Sequence, residues 1–154
     1  MYLILLTEYF TNPTTGETKP HNEAHEAAAT DLLMRTEDIS QEFYAETGNT
    51  PDIDPDTGTE ISGKRNGSGD GGFRIKGSST SAGRKSSHED GLGVDKSDQA
   101  NKFDDWLTTY DREDGKRNEK LEKHGLYREH PTATNTWSHL TTRRPGSGKR
   151  TFYP

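Results

Sequence analysis

Three residues of this chain, His88, Asp95 and His139, have side chains that could act together on one metal ion. Zinc in a hydrolase takes three protein ligands from His, Asp, Glu or Cys and leaves the fourth position open for water. His88 and Asp95 come from one short stretch, Ser86-Ser87-His88-Glu89-Asp90-Gly91-Leu92-Gly93-Val94-Asp95, and His139 lies far downstream in Asn135-Thr136-Trp137-Ser138-His139-Leu140. Taken alone the set is unspecific, because a His and an Asp seven positions apart also suit a solvated loop. Zinc is inferred from ligand type, and similar sites take other divalent metals.

The elements that must position these groups are legible in outline. Gly91 and Gly93 let the backbone turn and approach the site closely, and Leu92 and Val94 alternate with them as in a short strand that sends Asp95 to one face. Phe73-Arg74-Ile75, Leu126 to Glu129 and Trp137 to Leu140 read as further strands, the last two joined by a loop over 130–136. Side chains two apart share a strand face, so Trp137 stands beside His139 as an aromatic wall or as plain core. Helix is expected from Asn22 to about Tyr44, with Ala24, Ala27, Ala28, Leu32, Leu33, Ile39 and Phe43 as its apolar stripe. A second helix spans Asp98 to Tyr110, capped by Ser97, with Phe103, Trp106, Leu107 and Tyr110 on one face. A charged helix around Arg117 to His124 stops at Gly125. The expected fold is α+β: a small antiparallel sheet carrying the metal site, flanked by helices, with long polar loops. Residues 1–154 form one domain, a helical part over about 1–48 and a metal-site part over about 70–154.

Bulk properties bound the function classes. With 25% apolar residues, 30% charged residues and 16 glycines, only a small core can form, and a largely disordered interaction protein is a remote alternative. A bound metal would then add folding free energy. Twenty-six acidic against 20 basic residues give a net charge of −6, which argues against a general nucleic-acid binder. Arg143-Arg144 and Lys149-Arg150 read as a solvated basic tail. The absence of cysteine excludes disulfides and thiolate metal sites. Tyr2 to Leu6 is apolar but short, without a basic region before it or a cleavage site after it. It reads as a buried strand or helical turn, neither a signal peptide nor a membrane span.

Several motifs fail on inspection. His21-Asn22-Glu23-Ala24-His25 has Asn22 where a zinc-peptidase helix needs Glu directly after the first His, so the two histidines read as a solvated helix face. Asp52-Ile53-Asp54-Pro55-Asp56-Thr57-Gly58 has the alternating carboxylates of a calcium loop, but Pro55 intrudes and Gly63 stands where the bidentate Glu belongs. It reads as a turn. The glycine-rich run over 62–72 lacks the Gly-Lys-Ser/Thr ending of a phosphate loop, and Gly148-Lys149 is followed by Arg150.

Ser86-x-His88-x-x-Gly91-x-Gly93-x-Asp95 resembles the Ser-x-His-x-x-Gly-x-Ala-x-Asp signature of the zinc D-alanyl-D-alanine carboxypeptidases and L-alanyl-D-glutamate endopeptidases, which share the hedgehog-type fold; Gly93 replaces the usual Ala. Gly71-Gly72-Phe73-Arg74 resembles the family's Ser-Gly-Tyr-Arg strand. The tail, from Gly125-Leu126-Tyr127-Arg128-Glu129-His130-Pro131 through Trp137-Ser138-His139-Leu140 to Ser147-Gly148-Lys149-Arg150-Thr151-Phe152-Tyr153-Pro154, is similar to that of small phage and prophage members. The resemblance covers roughly residues 70–154.

It implies zinc on His88, Asp95 and His139, Arg74 as stabiliser of the scissile carbonyl, and Ser86 and Trp137 in support. Many members carry a catalytic carboxylate three residues before the last histidine, where this chain has Thr136. Glu129, in the same Glu-His-Pro context as in the phage members, is the substitute general base; Glu89 and Asp90 are weaker candidates. The implied function is a phage-type peptidoglycan peptidase. The implied partner is bacterial cell wall, with no nucleic acid, no membrane insertion and possible association with virion components. Made in the host cytoplasm without a signal peptide, it would reach the wall through a holin or inside a virion. The alternative is a virion or wall-binding protein that keeps the fold without turnover.

Overall fold

The computed structural model describes residues 4–60, 70–76 and 86–154. Helices α1 (Leu6–Tyr9), α2 (Glu23–Thr47), α3 (Lys102–Thr108) and α4 (Glu119–His124) surround a four-stranded sheet of β1 (Gly93–Ser97), β4 (Tyr127–Glu129), β5 (Trp137–Thr141) and β6 (Thr151–Phe152). A separate two-stranded ribbon pairs β2 (Asp111–Arg112) with β3 (Arg117–Asn118). The protein is therefore α+β. The main sheet runs β1-β5-β4-β6, with β1/β5 and β5/β4 antiparallel. It is mixed, because β6 returns parallel to β4.

Local chemistry sets the ends of α2. The Asn22 side chain accepts from the His25 backbone N–H at 2.9 Å, His25 Nδ1 accepts the Asn22 N–H at 3.3 Å, and Gly48 closes the helix in the left-handed region. Its buried face is Ala29, Leu32, Leu33, Thr36, Ile39, Ser40 and Phe43. Ala24 and Ala27, expected in that stripe, are exposed, because the first turns of α2 run past the core. Phe103, Trp106 and Leu107 of α3 join Leu121, Leu126, Val94 and Leu140 in the same apolar cluster.

Two expected boundaries differ. Ser97 belongs to β1, where it pairs with Trp137, so α3 begins only at Lys102. Its N-cap position is Asn101, whose side chain makes no capping bond, and the Asp98 carboxylate instead accepts the first-turn N–H groups of Phe103 and Asp104 at 3.0 Å each. Phe73 to Ile75 make no strand: the Phe73 N–H goes to the Tyr9 carbonyl at 2.9 Å and the Arg74 N–H to the His88 carbonyl at 3.1 Å, two different elements and no ladder. Of the run Tyr2 to Leu6, residues 2 and 3 lie outside the described residues, Ile4 is buried in a bend, and Leu6 opens the helical turn α1, whose Tyr9 is fully buried and donates its hydroxyl to the Gly93 carbonyl at 2.8 Å. Among the described residues no helix is long and apolar enough to cross a membrane.

The two faces of the sheet divide the work. Val94, Leu140, Arg128 and Thr151 form a cross-strand row on one face, all buried. Arg128 is fully buried there against Asp104 at 3.1 Å and Asp111 at 3.0 Å. Also behind β1, Lys96 pairs with Glu60 at 2.5 Å and donates to the Tyr44 hydroxyl at 3.1 Å, tying the chain over 50–60 to the strand. The opposite face carries the site.

Candidate metal centre

Asp95 and His139 are direct partners across β1 and β5. The β5/β4 register pairs Arg128 with Leu140, so its next step sets Glu129 beside His139, and β6 pairs Phe152 with Glu129. Asp95, His139, Glu129 and Phe152 thus form one row across four strands, on the face opposite Arg128. His88 reaches the row from a 3-10 turn, Ser87–Asp90, whose N-cap Ser86 accepts the His88 N–H at 3.2 Å and which ends in left-handed Gly91. Ser86, His88, Asp95, Glu129, His139 and Phe152 line one cleft of about 590 Å³, together with Arg74 and Trp137.

The inner atoms of the three ligands converge. His139 Nδ1 lies 2.9 Å from Asp95 Oδ1 and 3.2 Å from His88 Nε2, and His88 Nε2 lies 3.3 Å from Asp95 Oδ1. An ion about 2.0–2.1 Å from each of three tetrahedral ligands sets those ligands about 3.3 Å apart. The outer atoms are all taken by the protein. His88 Nδ1 donates to the Gly72 carbonyl at 2.8 Å, which fixes the tautomer with the Nε2 lone pair turned inward. His139 Nε2 lies 3.2 Å from Ser87 Oγ, the partner that leaves Nδ1 facing the cluster. Arg74 Nη2 holds Asp95 Oδ2 at 3.3 Å. The three ligands are 2%, 6% and 5% exposed for His88, Asp95 and His139, so two imidazole lone pairs and a carboxylate oxygen crowd together away from water, which a cation resolves. This donor set fits a metal ion, and among the described residues it is the group of metal-capable side chains that does so.

Without an ion, protons on the imidazoles take the place of the cation beside Asp95. Burial alone would raise the Asp95 carboxyl, but the charge of His88 and the hydrogen bonds from His139 and His88 hold it well below the usual carboxylate range. Burial alone would lower His139, and its hydrogen bond to Asp95 raises it instead.

No protein-family model, no curated protein and no solved structure matches this chain.

The other candidates fall into place from their contacts. Ser86 caps the His88 turn. Trp137, half-buried, walls the cleft on the same face of β5 as His139. Arg74 lines the cleft and holds Asp95. Asp90 is ion-paired with Arg143, and Glu89 is buried; neither lines the cleft. Thr136 is outside it too, in a left-handed conformation (φ 72°) with its carbonyl accepting the Asp98 N–H at 2.9 Å.

The decoys are structural. His21 stacks on Phe10 with centroids 3.8 Å apart, and His25 packs against Phe73 at 4.8 Å. Asp54 turns its own loop, accepting the Asp56 N–H at 2.9 Å, while Asp52 clasps Ser97 at 3.0 Å. Of the glycine-rich run over 62–72, residues 62–69 lie outside the described residues.

Sequence reasoning missed three contributors. Ser87, the unspecified position between Ser86 and His88 in the motif, is the partner of His139. The Gly72 carbonyl carries no side-chain signal at all. Arg143 and Arg144, expected as a solvated tail, line the cleft, Arg143 paired with Asp90.

Proposed function

We propose that this chain is a zinc-dependent peptidase of the type that cuts peptide stems or cross-links of bacterial peptidoglycan, related to the carboxypeptidase and endopeptidase family its motifs resemble. The observation that carries the reading is the convergence of His88 Nε2, Asp95 Oδ1 and His139 Nδ1 on one point, each with its outer atom held by the protein, at the wall of an open cleft.

Zinc bound there supplies a Lewis acid that polarises a carbonyl and brings the pKa of water to about 7. Glu129, beside His139 in the row, is the group that takes a proton from attacking water and returns it to the leaving amine. Arg74 keeps Asp95 oriented and places positive charge where the carbonyl oxygen becomes negative. Trp137 and Phe152 give the cleft apolar walls that exclude water, and Arg143 and Arg144 give it cationic ones suited to a substrate bearing carboxylates. Action on cell wall is supported by the motif resemblance together with this arrangement.

The test is Glu129→Gln assayed for peptide release from purified walls. It is expected to retain zinc and to lose about 10²–10⁴ of the rate. Full activity in that variant removes Glu129 from the chemistry. Zinc in the wild type without any release of peptide fragments supports instead a wall-binding protein that has lost turnover.

A further inference from the structure

Two of the three metal-ligand side chains are held by one segment, residues 70–74, that belongs to neither of their elements. The Gly72 carbonyl fixes His88 Nδ1 at 2.8 Å, Arg74 Nη2 holds Asp95 Oδ2 at 3.3 Å, and the Gly71 carbonyl accepts the Asp95 backbone N–H at 2.8 Å. Having no strand partner of its own, this segment must be fixed by other means. Part of the hold is steric: a Cβ at Gly72 would lie 2.3 Å from the Tyr9 carbonyl oxygen, so the segment is pressed against the end of α1.

The Phe73 and Arg74 N–H groups add hydrogen bonds to the Tyr9 and His88 carbonyls, and a further hold is one buried cation. Lys19 is 5% exposed, and its Nζ donates to Asp70 Oδ1 at 2.7 Å and to the Phe73 carbonyl. It thereby grips the segment on both sides of Gly72. Lys19 is itself anchored, its backbone N–H donating to the Phe10 carbonyl at 2.7 Å, and Phe10 packs on Phe73 with centroids 5.2 Å apart. Arg74 Nη2 also donates to the Asp70 carbonyl at 3.2 Å, so the residue that holds Asp95 hangs from the residue that Lys19 holds. A desolvated ammonium with a carboxylate and a carbonyl as partners defines one geometry, because any other leaves a buried charge short of hydrogen bonds.

We infer that Lys19 is a positioning residue for the metal centre: through Asp70 and the Phe73 carbonyl it fixes the segment that orients His88 and Asp95. The inference rests on the reading of His88, Asp95 and His139 as the ligand set. It gives the N-terminal part of the chain, 51 positions away from Asp70, a role at the site.

The experiment is a zinc titration against a chromophoric chelator, with the visible spectrum of the cobalt-loaded protein recorded on the same full-length samples at a temperature where all are folded. Compared are the wild type, Lys19→Met, Asp70→Asn and, as a control in the α2 core, Ile39→Val. Outer partners of metal ligands are typically worth about 10–100-fold in affinity, and Lys19→Met is expected to weaken zinc by about tenfold and to change the cobalt spectrum. Ile39→Val is expected to lower the melting temperature while leaving affinity and spectrum unchanged. Where Lys19→Met does not fold, Asp70→Asn decides, with a smaller loss in the same direction. Wild-type affinity and spectrum in the folded variant overturn the role of Lys19 and leave the metal centre standing. Failure of the wild type to bind zinc or cobalt overturns both.

Discussion

Gly93 and Ser87 share the few ångströms beside His139. A Cβ at position 93 would meet Ser87 Oγ at 2.2 Å and His139 Cε1 at 3.0 Å. The glycine at which the chain departs from the signature it resembles is therefore the space that the Ser87 hydroxyl occupies on its way to His139 Nε2. Gly93→Ala is expected to displace that hydroxyl and weaken zinc binding by about tenfold, and Ser87→Ala combined with Gly93→Ala to remove the crowding without restoring the bond. Competition titrations check this, and Gly93→Ala with wild-type affinity would remove Ser87 from the shell around the metal. The candidate ligands themselves were legible because His and Asp are chemically distinctive and their spacing resembles a known signature. Ser87, Lys19 and the Gly72 carbonyl were not, since their meaning lies wholly in partners that only the folded chain brings near.

The antiparallel packing of α2 and α4 is pinned by charges whose behaviour can be read against pH. Glu42 on α2 receives Lys120 Nζ at 2.8 Å and Lys123, with His124 Nε2 at 3.5 Å, all from α4. Burial alone pushes the Glu42 carboxyl up, but the hydrogen bonds from Lys120 and Lys123 prevail and hold it down from 4.5 to about 2. A carboxyl lowered in the folded state stabilises it above the unfolded value and loses that contribution as pH falls through the folded one. The melting temperature of the wild type is thus expected to exceed that of Glu42→Gln at pH 5 and to converge on it toward pH 2; a gap that stays constant over that range contradicts the account. At this scale the sequence was informative wherever a boundary is local. Asn22 and Gly125 mark helix ends through their own backbone and side-chain chemistry, whereas α2 runs past the expected end near Tyr44 to Thr47, where left-handed Gly48 closes it. It failed where a boundary depends on distant pairing: Ser97 extends β1 because Trp137 lies opposite, and Phe73 forms no strand because Tyr9 and His88 take its segment's amides.

Across the whole molecule the apolar core is small, with 25% of the chain apolar, and the ligand set joins residues 88, 95 and 139 of 154. Metal that binds the folded state alone adds about 2.7 kcal/mol when free ion stands at 100 times its dissociation constant. For a chain of this size each kcal/mol moves the melting temperature by about 2–4 °C, so a chelator is expected to lower it by roughly 5–10 °C. An identical melt with and without chelator would mean that no ion bridges the three side chains. The measurement that bears most directly on the central claim is the zinc content of the purified protein by elemental analysis, beside a variant carrying His88→Ala and His139→Ala. The account predicts close to one zinc per wild-type chain and none in a folded variant. A wild type without zinc, or a variant that keeps it, would contradict the metal centre and the function proposed from it.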